Sequence, residues 1–165
     1  QTPTQNSLIY QDAFSLENSD LVFENNAIYF SNNKNEFFAI DARTGIIKWK
    51  QSINSSLRPT VIETIIFTVS NEGYLFVIDD RNGNIIRITD IFKNLKNKKN
   101  LKPTGFIHGK DKLFVSMNNG LLLTIDSPTG VQEKITKVHG SKISRPYILN
   151  NSMYLIKDNA IVKIN

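Results

Sequence analysis

Candidate catalytic residues are scarce in this sequence. Its two histidines, His108 and His139, are far apart and have no metal-type spacing. Asp79 and Asp80 form an acidic pair, but neighbours on a strand point to opposite faces of a sheet. There is no cysteine, which excludes thiol catalysis, cysteine-ligated metals and disulfides. Since no catalytic triad or phosphate-binding glycine loop is found either, we predict no catalytic, cofactor-binding or metal site, and no enzyme.

Basic residues are better candidates for binding. The chain has a net charge of +5, and much of the excess lies in one segment that contains Lys93, Lys96, Lys98 and Lys99. Such a segment is either a solvated loop or a docking site for an acidic protein surface or anionic lipid headgroups. Nucleic acid is not predicted as a partner, because no aromatic side chains alternate with the lysines to stack on bases.

A second set of basic residues belongs to a repeated phrase. Arg58, Lys102 and Arg145 each precede a proline, and the prolines are 44 and 43 residues apart. A period of this size indicates a repeat architecture. Another phrase recurs out of phase with the first, as an isoleucine, an aspartate, three turn-forming residues and a glycine. It occurs within Ala39–Gly45, Val77–Gly83 and Thr124–Gly130.

Residues 58–101 illustrate one unit. Short segments rich in β-branched residues alternate with turn residues, which predicts strands rather than helices. The aspartate of the phrase can accept an amide hydrogen bond within the turn, and the glycine can adopt positive φ. Four such strands per repeat predict an all-β fold, a β-propeller with four-stranded blades. The predicted strands are Val61–Ile62, Ile65–Val69, Tyr74–Ile78 and Ile85–Thr89.

The two ends of the chain share one blade in this alignment. We assign a single domain with blades over residues 20–57, 58–101 and 102–144, and a last blade over 145–165 plus 7–12. Three arrangements remain open. The chain is half of a longer protein, or two copies form an eight-bladed ring as a homodimer, or four blades close alone. The sequence contains no apolar stretch long enough for a transmembrane helix and no visible signal peptide.

The innermost strand of each propeller blade lines a central channel. Arg58, Lys102 and Arg145 are therefore predicted to surround one mouth of the channel, with Asp20 or Ser19 at that place in the first blade. Three like charges around an axis repel one another unless an anion neutralises them. We interpret the cluster either as an anion-binding or carboxylate-binding site or as three local pairs with acids of neighbouring blades.

The first copy of the turn phrase extends to a tryptophan. Its residues Ala39, Asp41, Thr44, Gly45 and Trp49 resemble the tryptophan-docking pattern of the pyrroloquinoline-quinone-like (PQQ-like) β-propeller repeat family. The resemblance covers the whole chain and implies that the motif packs blades together, not that it binds quinone.

The later copies keep the turn but not the tryptophan. Arg87 and Lys134 hold the tryptophan position there. The turn residues that are retained are Asp79 and Gly83, and Asp126 and Gly130.

Within that family the sequence is most similar to the BamB-like envelope propellers, which are not enzymes. The resemblance implies a protein-binding scaffold that assists outer-membrane β-barrel assembly, in the periplasm or at the outer membrane. It implies protein partners from the assembly machinery, and membrane association through a lipid anchor outside this chain.

Two other functions remain open. One is a fragment of a PQQ-dependent dehydrogenase. The resemblance implies that such an enzyme holds its cofactor with a bound calcium ion and typically has a vicinal cysteine pair. This sequence has no such pair and no evident cluster of calcium ligands. The other is a propeller that binds a small ligand or carbohydrate, which aromatic residues on loops would favour. Most aromatic residues lie in the predicted strands instead, where they are expected to pack between blades.

Overall fold

The computed structural model of the protein describes residues 15–96 and 98–164. These residues form fifteen β-strands and no helix, so none of them belongs to a helix that could cross a membrane. The strands are β1 (Val22–Glu24), β2 (Ala27–Asn32), β3 (Glu36–Asp41), β4 (Ile47–Gln51), β5 (Thr60–Ile62), β6 (Ile65–Val69), β7 (Tyr74–Asp79), β8 (Ile85–Asp90), β9 (Pro103–Gly109), β10 (Lys112–Met117), β11 (Leu121–Asp126), β12 (Gln132–Lys137), β13 (Tyr147–Leu149), β14 (Ser152–Lys157) and β15 (Ala160–Ile164).

Consecutive strands form four antiparallel meanders. The sheets contain β1 to β4, β5 to β8, β9 to β12 and β13 to β15, each in chain order. They are the blades of a β-propeller, numbered 1 to 4 here, with β1, β5, β9 and β13 as the innermost strands. The predicted all-β propeller is therefore confirmed. The fourth strand predicted for blade 4, over residues 7–12, lies outside the described residues.

Two-residue turns with positive φ connect the first two strands of several blades. Asn25 and Asn26 have φ of 51° and 58°, and Asn150 and Asn151 have 48° and 59°. Asparagine tolerates this left-handed region, and turns of this kind match the twist of a β-hairpin. These turns therefore fix which residues of the first two strands pair with each other.

Apolar side chains between neighbouring blades form the core. Each fully buried side chain of this size contributes about 1.5–3 kcal/mol relative to an exposed one, so blade stacking is the main source of stability. Blades 1 and 2 enclose Tyr29, Phe37, Trp49, Ile66 and Ile78. Blades 2 and 3 enclose Phe67, Val69, Leu75, Val77, Phe106, Leu113, Val115, Leu123 and Ile125. Blades 3 and 4 enclose Leu122, Ile143 and Leu155.

Candidate functional site

The turn phrase closes the hairpin between the third and fourth strands of a blade. Asp41 Oδ1 accepts hydrogen bonds from the amides of Arg43 at 3.1 Å and Thr44 at 2.8 Å. The Gly45 amide donates to the Asp41 carbonyl at 2.8 Å, with Gly45 at φ +72°. The same backbone bond joins Gly83 to Asp79 at 2.9 Å and Gly130 to Asp126 at 2.8 Å.

Hydrogen bonds within these turns lower the pKa of the aspartates. The hydroxyl and amide of Thr129 are the main donors to Asp126, and they lower its pKa from 3.8 to about 2. A threonine lowers the pKa of Asp41 in the same way, and the Arg81 guanidinium lowers that of Asp79. These carboxylates stabilise turns and are not poised for proton transfer.

Trp49 joins blade 1 to the turn of blade 2. Its indole Nε1 donates to the carbonyl of Asp80 at 2.8 Å, and its ring lies stacked on Phe37 at 5.8 Å between centroids. A Cβ on Gly83 would lie 2.6 Å from the indole ring. The glycine therefore serves both the turn and the close approach of the tryptophan.

Arg87 joins blade 2 to the turn of blade 3 in a similar way. Its Nη2 donates to the Ser127 carbonyl at 2.6 Å, and its Nη1 donates to the Pro128 carbonyl. A Cβ on Gly130 would lie 2.9 Å from Arg87 Nε. The departure from tryptophan at this position thus retains a dock between blades. Lys134, at the third such position, is exposed.

The first hairpin of each blade aligns the innermost strands. Its last residue pairs are Glu24 with Ala27, Ile62 with Ile65, Gly109 with Lys112, and Leu149 with Ser152. Counting back four residues from the end of each innermost strand gives equivalent positions in the four blades. These positions are held by Asp20, Arg58, Gly105 and Arg145.

The predicted equivalence of Lys102 with Arg58 and Arg145 is wrong. Pro59 and Pro146 precede their strands, whereas Pro103 is the first residue of the longer strand β9. The proline phrase is therefore displaced by three residues in blade 3, and Gly105 takes the position next to the channel.

The channel-mouth cavity lies between the starts of the innermost strands and has a volume of about 260 Å³. Arg145 is fixed within it, because its Nε donates to the Phe106 carbonyl at 3.0 Å and its guanidinium lies 5.8 Å from the centre of the Tyr147 ring. A Cβ on Gly105 would lie 2.5 Å from Arg145 Cβ, so the glycine makes room for the arginine. The lining includes Asp20, Arg58, Gly105, Arg145 and Tyr147.

Two like charges meet in the channel-mouth cavity. Burial lowers the pKa of Arg145, the charge of Arg58 lowers it further, and Tyr147 and Asp20 act in the opposite direction. Within residues 15–96 and 98–164, neither arginine forms a salt bridge with a carboxylate. The local pairing with acids of neighbouring blades, one of the two interpretations above, is thus not seen for these residues.

Lys102 lines a second depression of about 430 Å³. Asparagines organise this region. Asn118 Oδ1 accepts from the Lys102 amide at 3.1 Å, and Asn33 Oδ1 accepts from the Glu17 amide at 3.1 Å. Each side-chain amide also donates to the carbonyl two residues before its partner. These asparagines thus clamp the connections between blades, a role that their residue type alone does not predict because asparagine is equally common in simple turns.

The lysine segment between blades 2 and 3 is held in place by apolar side chains of its own that are buried in the core. Ile91, Phe92 and Leu95 are buried in the core between these blades. Lys98 lies 3.8 Å from Asp90, and an exposed pair of this kind contributes little stability. The segment therefore holds its lysines on a fixed surface. The exposed lysines are Lys93, Lys96, Lys98 and Lys99.

The two histidines lie in separate structural contacts. His108 stacks on Phe67 at 5.5 Å between ring centres, with Nε2 3.0 Å from Ser127 Oγ, and burial lowers its pKa. His139 Nε2 lies 2.9 Å from a carboxylate oxygen of Asp158. In the part of the chain that the structure describes, no group of histidine and acidic side chains is placed to hold a metal ion.

Asp79 and Asp80 are also separated. Asp79 pairs with Arg81 at 2.6 Å in the turn. Asp80 is buried and accepts a hydrogen bond from Asn25 Nδ2 at 2.9 Å. The two carboxylates therefore do not form a catalytic acid pair.

Comparisons with known proteins agree with this architecture. A family model described as outer membrane protein assembly factor BamB matches residues 2–89, which is more than half of the chain. Among solved structures, BamB from Moraxella catarrhalis matches with a TM-score of 0.70 and 14% identity, over 88% of this chain and 41% of that one. The computationally designed Ika4 protein matches with a TM-score of 0.69 and 13% identity, over 91% and 90%.

An enzyme shares the fold as well. The quinohemoprotein alcohol dehydrogenase from Comamonas testosteroni matches with a TM-score of 0.60 and 18% identity, over 74% of this chain and 21% of that one. At such identities these structures show the fold alone. The chain spans less than half the length of the Moraxella protein. No curated protein matches the sequence.

Proposed function

Because the chain belongs to the family described as outer membrane protein assembly factor BamB, we propose that it is a non-catalytic, protein-binding scaffold of the bacterial envelope. It assists the assembly of outer-membrane β-barrel proteins, in the periplasm or at the outer membrane. Its partners are proteins of the assembly machinery, and they bind at the end of the propeller where the innermost strands begin.

The observation that carries this proposal is the pair of arginines in the channel-mouth cavity. Arg145 is held in place by a backbone carbonyl and the Tyr147 ring, and Arg58 shares its cavity. A guanidinium group binds a carboxylate through two parallel hydrogen bonds, and such charge-assisted bonds are strong. An acidic side chain of a partner protein would relieve the repulsion between the two arginines.

The lysine segment extends this basic surface. It leads into β9, so it lies at the end of the propeller where Arg58 and Arg145 are found. The summed charge of its exposed lysines attracts an acidic partner from a longer distance than one arginine contact can. The two sets of basic residues thus favour a protein partner with a negatively charged surface.

The proposal is tested by capture of partners from a bacterial envelope extract, with the bound proteins identified by mass spectrometry. The variants are Arg58→Glu with Arg145→Glu, and a matched control, Lys48→Glu with Lys134→Glu, at exposed positions on the fourth strands of blades 1 and 3. We expect the wild type and the control to recover outer-membrane assembly proteins and the arginine variant to lose them.

A second variant guards against misfolding, because Arg145 packs against its neighbours. Arg58→Glu with Lys102→Glu leaves Arg145 intact, and circular dichroism melting reports whether each variant folds. Equal recovery by folded wild type and variants would contradict the proposed surface. A melting temperature raised by quinone with calcium would instead support a dehydrogenase fragment.

A further inference from the structure

In the part of the chain that the structure describes, the outward face of blade 4, the side turned away from blade 3, is largely apolar and exposed. Tyr147, Ile156 and Ile161 are 58%, 46% and 77% exposed. Together they border a depression of about 620 Å³. Side chains of this size in one exposed patch mark an interaction surface. The described residues of this face are Tyr147, Leu149, Ser152, Tyr154, Ile156, Ile161 and Lys163.

Strand register shows that these positions belong to a core. Counted from the first hairpin of each blade, Ile161 is equivalent to Phe37, Leu75 and Leu122. Those three side chains are 0%, 0% and 3% exposed. In each case the next blade provides the cover. Ile161 therefore has the residue type of an interior position, and no blade among residues 15–96 and 98–164 covers it.

The leading face of blade 1, the side turned away from blade 2, is the complementary surface. Ile28 and Ile40 on this face are only half-buried, whereas their equivalents in blade 2, Ile66 and Ile78, are fully buried against blade 1. Phe30 lies on the same face, stacked with its neighbour Phe38 at 5.1 Å between ring centres. The leading face of blade 1 thus has the chemistry that covers an outward face elsewhere in the molecule.

We propose that a second copy of this chain binds the outward face of blade 4 with the leading face of its own blade 1. Each copy offers one face of each kind, so two copies bury both pairs of faces at once. A head-to-tail contact of this type forms a closed ring when the rotation between copies completes a circle. The product is an eight-bladed ring with a channel mouth to which both copies contribute Asp20, Arg58 and Arg145.

Complementary faces support a second copy as the occupant. The outward face of blade 1 is covered by Ile66 and Ile78 of blade 2, and that of blade 2 by Leu113 and Ile125 of blade 3. The leading face of blade 1 carries isoleucines at both equivalent positions, Ile28 and Ile40. A second copy thus brings the residue types that cover these positions within the molecule, and this contact does not depend on the proposed envelope function.

Native mass spectrometry and light scattering test the inference on the wild-type chain, where we expect the mass of two copies. Ile161→Lys places a charge in the contact, and burial of an unpaired charge is costly, so the dissociation constant should rise about tenfold or more. Ile46→Lys is the matched control, since Ile46 is exposed in a turn of blade 1 outside both faces. It should leave the two-copy mass unchanged.

Cross-linking identifies which faces meet. The chain has no cysteine, so the double variant Ile28→Cys with Ile161→Cys carries the only two thiols, and a short bis-maleimide should join two copies. A link within one copy would show that four blades close alone and would overturn the proposal. A single-copy mass of the wild type at high micromolar concentration would overturn it as well.

Discussion

The docks between blades 1 and 2 and between blades 2 and 3 share a geometry and differ in chemistry. In both, a side chain from the fourth strand lies over the glycine of the next turn and donates to a backbone carbonyl. Trp49 does so with an indole to Asp80, and Arg87 does so with a guanidinium to Ser127. In both docks the position is held by a long, flat side chain that carries an N–H group towards its end.

The difference lies in what each dock contributes to stability. Trp49 is buried in an aromatic cluster with Tyr29 and Phe37, so most of its contribution comes from apolar area. Arg87 is only half-buried, and its contribution comes from hydrogen bonds of a charged donor to two carbonyls. The tryptophan pattern is one solution to blade docking, and it can be replaced without loss of the contact.

The largest effect is expected when the tryptophan dock is removed. Trp49→Ala leaves a cavity between blades 1 and 2 and should lower the free energy of unfolding by about 3–5 kcal/mol. Urea unfolding followed by far-ultraviolet circular dichroism measures it, since Trp49 is the only tryptophan and its fluorescence is lost. A loss below about 1 kcal/mol would show that the ring is not a main packing element.

The second-largest loss of stability is expected for a substitution of Gly83, which lies against the Trp49 ring. Gly83→Ala adds a Cβ 2.6 Å from the indole at a φ of +75°, so strain and overpacking together should cost about 2–4 kcal/mol. Gly45→Ala is the control, because its φ is +72° but nothing lies within 4 Å of the added Cβ. Equal losses in the two variants would mean that the backbone conformation alone requires glycine at position 83.

The arginine dock should be weaker than the tryptophan dock. Arg87→Met keeps a long side chain but removes the bonds to the Ser127 and Pro128 carbonyls, with an expected loss of about 1–3 kcal/mol. Lys134→Met, at the equivalent exposed position of blade 3, should change stability by less than about 0.5 kcal/mol. Arg87→Trp sharpens the comparison, because an indole that docks there should restore stability relative to Arg87→Met.

The smallest effect is expected in the dependence of stability on acidic pH. The folded pKa of Asp126, about 2, lies below its ordinary value of 3.8, so its stabilising effect is complete above about pH 4 and is lost as the pH falls towards 2. Asp126→Asn should therefore flatten the fall in melting temperature between pH 4 and pH 2. Thermal unfolding at pH 4, 3 and 2 measures this, and parallel curves for wild type and variant would contradict it.

Much of the fold could be predicted from the turn phrase. Each copy of the phrase follows an apolar run and has a glycine four residues after its aspartate. It predicts the position of a hairpin, because the hydrogen bonds that close such a turn are local. The four strands predicted within residues 58–101 agree with β5 to β8 to within one residue at each end. Local side-chain chemistry of this kind can be read from sequence alone.

The alignment of the channel mouth could not be predicted in the same way. Pro103 resembles Pro59 and Pro146 in sequence, but it is the first residue of a longer strand with an irregular register near Ser116 and Met117. The acceptors of Arg87 are backbone carbonyls, which no side-chain pattern reports. The exposure of Ile161 depends on the presence or absence of a neighbouring blade, and that is not a property of its own segment.

The uncovered outward face of blade 4 also sets the order in which the molecule opens. Among the described residues, blade 4 packs on the side of blade 3, through a small cluster that includes Leu122, Ile143 and Leu155. Blades 2 and 3 share the large cluster of the core. In a single copy, amide hydrogens of β13 to β15 should therefore exchange with solvent first, and those of β6, β7, β10 and β11 last. Opening then proceeds along the chain from one end, as in a linear repeat array with nearest-neighbour cooperativity.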